Sequence, residues 1–322
     1  MKAKITGVGH YLPSRVIDNK YLSENYAITE EEIFDKTGIR ERLYADESVS
    51  TSDLVCSAIN DLLDNTSKSI EEIDCIIVGT LTPDYFFPST AVCAINRLKA
   101  KKAWGFDLSA ACSGFCYGLA TAVAMIQQGN LQNVIVCGAD KMSSTLNSFD
   151  YKTAVLFGDG AGAILLEATD DDDELILKGS LCRVEADDLE DVYFKTPFNT
   201  TDWSHEKFEL QGGKVYRNGV KFMAETIQKY LDENDLVFDD FAHIIPHQSN
   251  MNMLNDTARD LRIDIGKFKI NIESVGNTGG ASIPICLSQY VKNGEIKKGD
   301  RLLLVSFGAG YTVSIIDLVW AY

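Results

Sequence analysis

Continuous apolar runs and amphipathic segments alternate along this chain in a regular order. Cys75-Ile76-Ile77-Val78-Gly79-Thr80 is apolar up to its glycine, the pattern of a strand covered on both faces. A helix follows from about Ser89, then a strand that ends at Ser109. From there to about Gln128 the apolar positions Phe115, Leu119, Ala122, Val123 and Ile126 share one helical face, and Gly129 stops the helix. Asn133-Val134-Ile135-Val136-Cys137-Gly138 is the next strand.

The second half repeats this grammar. His243 to His247 reads as a strand and its exit, followed by a helix from about Ser249 to Leu261. A strand at Phe268–Ile272 leads into the turn Gly276-Asn277-Thr278-Gly279-Gly280. A helix then carries Ile283, Ile285, Leu287 and Val291, and Arg301–Phe307 is a strand. The alternation predicts an α/β architecture. The repeated order predicts two half-domains, 1–172 and 173–322, related by a pseudo-twofold axis. Cys112 and Asn277 then occupy equivalent strand-to-helix turns, and His247 leaves the strand equivalent to Cys75–Thr80. Ligand sites in such sheets form at the carboxyl ends of strands, so the symmetry brings these residues to one place.

Composition narrows the function. The formal charge of −17 argues against a nucleic-acid partner. No apolar run is long enough to span a bilayer, and no membrane association is expected. Met1 to Gly9 reads as a strand running into a turn, without the features of a secretion signal. Eight cysteines lie mostly in apolar patterns with no CxxC pair, which suits reduced thiols in a cytoplasm. The acidic run Asp170 to Glu174 reads as a solvated loop, since EF-hand spacing and its glycine are missing. His243 and His247 are separated by strand-like residues rather than a helical turn, so no metal site is expected.

Cys112 supplies the candidate chemistry. A thiol at a helix N-terminus meets unpaired N–H groups and the positive end of the dipole, which favour the nucleophilic thiolate. Its own N–H can form half of an oxyanion site, and the small residues of Phe307-Gly308-Ala309-Gly310 allow a second N–H to approach. His247 and Asn277 offer side-chain donors for another carbonyl. That set suits carbon–carbon bond formation between thioesters better than hydrolysis. Taken singly, Cys112 also reads as a small buried hydrophobe, His247 as a hydrogen-bonded core residue and Asn277 as a turn residue. Phe157-Gly158-Asp159-Gly160-Ala161-Gly162-Ala163 lacks a phosphate-loop signature and reads as close strand packing.

Nearly end to end, the chain resembles the β-ketoacyl-acyl-carrier-protein synthase III family of thiolase-like condensing enzymes. The motifs are Lys36 to Arg42, Phe87-Pro88-Ser89, Asp107 to Gly114, Phe157 to Ala163, Pro246-His247-Gln248-Ser249-Asn250, Gly276-Asn277-Thr278 and Phe307 to Gly310. The resemblance implies a five-layer αβαβα fold, a homodimer and the catalytic set Cys112, His247 and Asn277. It implies no permanently bound cofactor. Acyl-coenzyme A or an acyl carrier protein would donate the acyl group, and a malonyl carrier protein would be the second substrate. Cys112 would take the acyl group with its own N–H and that of Ala309 as oxyanion hole. His247 and Asn277 would then support decarboxylation, and Phe87 would reach the partner subunit's acyl pocket.

Several substrate positions depart from the family. Its adenine-stacking tryptophan falls at Glu32, where Thr29 to Glu32 reads as a capping box. The family arginine on the other side of the adenine falls at Tyr151, and a third arginine, at the tunnel mouth, falls at Asn252. Lys36 replaces a frequent arginine. These changes predict a weakened coenzyme A grip and an acyl donor that is carrier-bound, longer or unusual, as in specialised lipid or polyketide biosynthesis. Carrier proteins are acidic, so docking is expected on Lys214, Arg217, Lys221, Arg259 and Arg262. Two other readings stay open here: acyl transfer to a hydroxyl or amine, and a non-catalytic partner subunit.

Overall fold

The computed structural model describes residues 1–146, 151–170, 177–185, 189–195 and 208–322. Most of the acidic run, and the division between 172 and 173, lie outside them. The principal elements of the first half are β1 (Lys2–Tyr11), α1 (Thr51–Asp64), β2 (Cys75–Gly79), α2 (Thr90–Leu98), β3 (Trp104–Leu108), α3 (Gly114–Gln127), β4 (Asn133–Lys141) and β5 (Asp159–Thr169). Those of the second are β6 (Leu177–Val184), α4 (Gly212–Glu233), β7 (His243–Pro246), α5 (Met251–Asp260), α6 (Ser282–Lys292), β8 (Arg301–Gly308) and β9 (Thr312–Val319).

One sheet has the order β1-β5-β4-β2-β3 and the other, read in the same sense, β6-β9-β8-β7. Directions match as well. β2 lies parallel to β4 as β7 does to β8, and the β4/β5 and β8/β9 pairs are antiparallel. The pleat explains why these strands are apolar throughout. Leu302 and Leu304 pack with Phe115 and Leu119 of α3 and with Ile283 and Leu287 of α6. Leu303 and Val305, on the opposite face, pack with Met223 and Ile227 of α4 and Leu254 of α5. In the first sheet Val134 and Val136 join the central layer, while Ile76 and Val78 meet Leu54 and Ile59 of α1 and Ala94 of α2. The result is a thiolase-like αβαβα sandwich, with α3 and α6 between the sheets.

Two expectations need correction. β1 does not turn at its glycines but continues to Tyr11. A Cβ at Gly9 would strike the backbone of Ala58 and Leu62, so glycine there lets the strand lie against α1. The strand expected at Phe268–Ile272 does not form. A single parallel bridge joins Phe268 to Ile244, and Ile272–Val275 is a helical turn. Side chains replace the ladder. Gln248 Nε2 donates to Lys269 O at 3.2 Å, its Oε1 accepts from Asn271 N at 3.0 Å, and Tyr290 Oη donates to Ile270 O at 2.7 Å. The glycine-rich segment behaves as expected. Gly162, within β5, lies against the backbone of Pro284 and Ile285 of α6.

Candidate active site

Cys112 sits in a 3-10 turn, Ala111–Ser113, between β3 and α3. Ala111 has φ +48°, a left-handed conformation uncommon for a residue with a Cβ, and it presents Cys112 at the tip of a sharp corner. Two hydroxyls brace the corner from the second half. Ser306 Oγ donates to Ser113 Oγ at 2.8 Å, and Thr312 Oγ1 donates to Ala110 O at 3.1 Å. β8 runs so close that a Cβ on Gly308 would stand 2.7 Å from Cys112 N. Ala309, next along that segment, lines the same cavity as Cys112.

The cavity has a volume of about 470 Å³, and Cys112, His247 and Asn277 all line it. His247 is buried. Its N–H pairs with Val305 O at 2.7 Å, which continues the β7/β8 ladder into the site. Its Nδ1 lies 2.6 Å from Ser282 Oγ, and Ser282 Oγ also accepts from Gln248 N at 3.4 Å. The Ser282 hydroxyl can donate to Nδ1, the arrangement that places the ring hydrogen on Nε2, facing the cavity side of the ring. Asn277 is held through its backbone by Leu156 O and Gly158 N, at 2.8 and 3.0 Å. Its Oδ1 accepts from Gly279 N at 3.0 Å.

Electrostatics revise one expectation. Burial, aided by the charge of Asp140, pushes the Cys112 thiol up to about 12, against the helix terminus that would favour a thiolate. Burial also lowers His247 to about 3. Both shifts favour a neutral thiol and a neutral imidazole over an ion pair. Two polar residues here escaped the sequence reading, Ser282 and Asp140. A charged residue closing a buried strand, as Asp140 closes the apolar part of β4, was the available signal.

The substrate positions separate into two groups. Lys36 and Tyr151 line the cavity, with Lys36 Nζ 5.9 Å from the centre of the Tyr151 ring. Glu32 and Asn252 do not line it. Glu32 completes a capping box with Thr29, through contacts of 3.0 and 3.1 Å. Asn252 Nδ2 donates to Asp35 O and Asn250 Nδ2 to Lys36 O, at 2.8 and 2.9 Å, so both amides satisfy the last carbonyls of the helix Glu30–Thr37. Phe87 is 83% exposed, beside exposed Tyr85 and Phe86, and does not line its own chain's cavity.

The basic candidates do not form a uniform patch. Lys214 pairs with buried Asp191 at 3.0 Å, and Arg259 pairs with Asp256 at 2.8 Å. Arg217 and Lys221 line a groove with Glu225, Asp256 and Asp260 next to Tyr216, which also lines the cavity. Arg262 is exposed just beyond α5. The described residues contain no helix long and apolar enough to cross a membrane.

A duplicated α/β sandwich with a cysteine, a histidine and an asparagine at one cavity is the arrangement of an acyltransferase of the condensing class. Residues 106–182 match the 3-oxoacyl-[acyl-carrier-protein (ACP)] synthase III family, and residues 231–320 match its C-terminal counterpart. The chain is 38% identical to a β-ketoacyl-[acyl-carrier-protein] synthase III of Koribacter versatilis, covering 100% of this chain and 98% of that one. It is 39% identical to another of Chlorobaculum tepidum, covering 99% and 100%. The crystal structure of 3-oxoacyl-[acyl-carrier-protein] synthase III from Aquifex aeolicus superposes with a TM-score of 0.92 at 35% identity, over 99% of this chain and 100% of that one. The priming β-ketosynthase of the R1128 polyketide pathway gives 0.92 at 27% identity, over 99% and 96%. The chain belongs to the β-ketoacyl-acyl-carrier-protein synthase III family.

Proposed function

We propose that this enzyme joins an acyl group held on Cys112 to a malonyl carrier protein by decarboxylative condensation. The observation that carries the reading is the convergence of Cys112, His247 and Asn277 on one cavity, with Nδ1 of His247 occupied by Ser282. The Cys112 sulfur attacks the donor thioester while the N–H groups of Cys112 and Ala309 receive the oxyanion. The thiol proton leaves with the departing thiol. The malonyl thioester then places its carbonyl oxygen between His247 Nε2–H and Asn277 Nδ2. Its carboxylate leaves as carbon dioxide, and the electron pair passes into an enolate held by those two donors. The enolate carbon attacks the acyl carbonyl. Cys112 leaves as a thiolate and takes a proton from solvent.

A neutral His247 suits this role, because it stays a hydrogen-bond donor and its protonation is not required. The donor role of Asn277 favours condensation over transfer to a hydroxyl or amine. The commitment of Glu32 and Asn252 to helix capping supports a weakened adenine grip and a carrier-bound, longer or unusual acyl donor. A homodimer is supported by the edge strand β3, which carries half-exposed Trp104, and by the neighbouring exposed aromatics at 85–87. All eight cysteines are free thiols, which supports a reducing cytoplasm.

The test weighs the intact chain and Cys112→Ala after incubation with acyl-coenzyme A and acyl carrier proteins, then measures carbon dioxide from malonyl carrier protein. A mass gain absent from the variant, followed by acyl-dependent carbon dioxide release, is expected. Loading without carbon dioxide release would overturn condensation. Loading from acetyl-coenzyme A equal to or better than every carrier-bound donor would overturn the altered donor.

A further inference from the structure

Asp140 has no exposed surface, and its two oxygens reach into both halves of the fold. Oδ1 accepts from Leu81 N at 2.6 Å and from the hydroxyls of Thr80 and Thr82 at 3.1 Å each. Oδ2 accepts from Gly280 N at 2.7 Å. Leu81 lines the cavity that holds Cys112. Gly280 follows Gly279, whose N–H holds Asn277 Oδ1. That bond, together with Nδ2 donating to Ser249 O at 3.4 Å, sets which end of the Asn277 amide is offered. With the oxygen retained by the backbone and one Nδ2 hydrogen on Ser249, the second Nδ2 hydrogen is left for substrate. Gly279 has φ +59°, and a Cβ there would collide with Asp140 Oδ2, so carboxylate and turn fit without spare room.

We propose that Asp140 is a positioning residue that sets the Asn277 amide through the Gly279–Gly280 backbone and thereby governs malonyl decarboxylation rather than acyl loading of Cys112. The inference rests on the condensing reading above. A carboxylate accepts at both oxygens. An amide has one acceptor, and its NH₂ must face either Leu81 N–H or Gly280 N–H. The same carboxylate charge raises the Cys112 thiol, so removing it favours the thiolate. The two steps should therefore move apart, which general loss of structure does not produce.

The experiment measures Cys112 loading by intact mass and carbon dioxide release from malonyl carrier protein, in wild type and Asp140→Asn. Loading is expected to be unchanged or faster. Carbon dioxide release is expected to fall at least about tenfold, with KM for malonyl carrier protein moving less than about threefold. Gly279→Ala presses on the same carboxylate from the other side, and the same split is expected there if Asp140→Asn fails to fold. Equal losses in both steps, or no loss of carbon dioxide release, would overturn the proposal. A wild-type protein that loads acyl groups but releases no carbon dioxide would instead bring down the condensing reading itself.

Discussion

Gly308→Ala tests the oxyanion site most directly. A Cβ at Gly308 would lie 2.7 Å from Cys112 N, 2.8 Å from Thr312 Oγ1 and 3.1 Å from the Ala111 Cβ. Ordinary contact begins at 3.4 Å, so the loop carrying Ala309 and the Cys112 corner must separate by about 0.7 Å. Relief is hard to find elsewhere, because Thr312 Oγ1 already holds Ala110 O and Ser113 Oγ at 3.1 and 3.0 Å. Losing one oxyanion donor outright typically lowers a rate by about 10² to 10³. Widening the pair should lower loading about 30-fold, equivalent to about 2 kcal/mol of transition-state stabilisation. Overpacking should also reduce stability by about 1–3 kcal/mol. The assay is the time course of Cys112 acylation by intact mass, at a temperature where circular dichroism shows the variant folded. Carbon dioxide release from malonyl carrier protein, measured on enzyme already acylated at Cys112, serves as a second channel and should fall less, since His247 and Asn277 hold that carbonyl. A folded variant that loads within about twofold of wild type would refute the assignment of the Cys112 and Ala309 N–H groups.

Four further outcomes are expected. Ser282→Ala removes the hydroxyl that meets His247 Nδ1, so carbon dioxide release should fall about tenfold while loading is spared; equal effects on both steps would contradict a role for Ser282 in setting the His247 ring. Burial holds His247 near 3, below its unfolded value of 6.5, so it stays neutral as pH falls through 6.5. The decarboxylation profile should therefore show no inflection near 6.5, and one that disappears in His247→Asn would count against the burial argument. The same shift contributes stability above 6.5 that is lost as pH falls from 6.5 towards 3, visible as an acid limb in melting temperature. Phe87→Asp places a charge on the exposed aromatic patch and should shift sedimentation towards monomer; an unchanged dimer would place the interface elsewhere.

The alternation of elements was legible because burial on both faces leaves a strand no polar position, as in Cys75–Gly79 and Leu302–Val305. The Glu32 capping box was legible too, since its partners are three residues apart. Asn252 was not, because the carbonyl it serves belongs to Asp35, 217 positions away. The expected strand at Phe268–Ile272 failed for a related reason. Its apolar pattern was real, but Gln248 and Tyr290 claimed its backbone groups.

The sequence by itself carried the repeated order of strands and helices and offered Cys112, His247 and Asn277 as candidates, because periodicity and short motifs are read along the chain. Tertiary structure decided how those residues stand chemically. Desolvation and the charge of Asp140 push the Cys112 thiol up, against the pull of the helix terminus. Ser282 reaches His247 Nδ1, Gly279 N–H holds the Asn277 oxygen, and Asp140 holds the adjoining Gly280 N–H. Desolvation and hydrogen-bond direction depend on groups that meet only when the two halves close on one another.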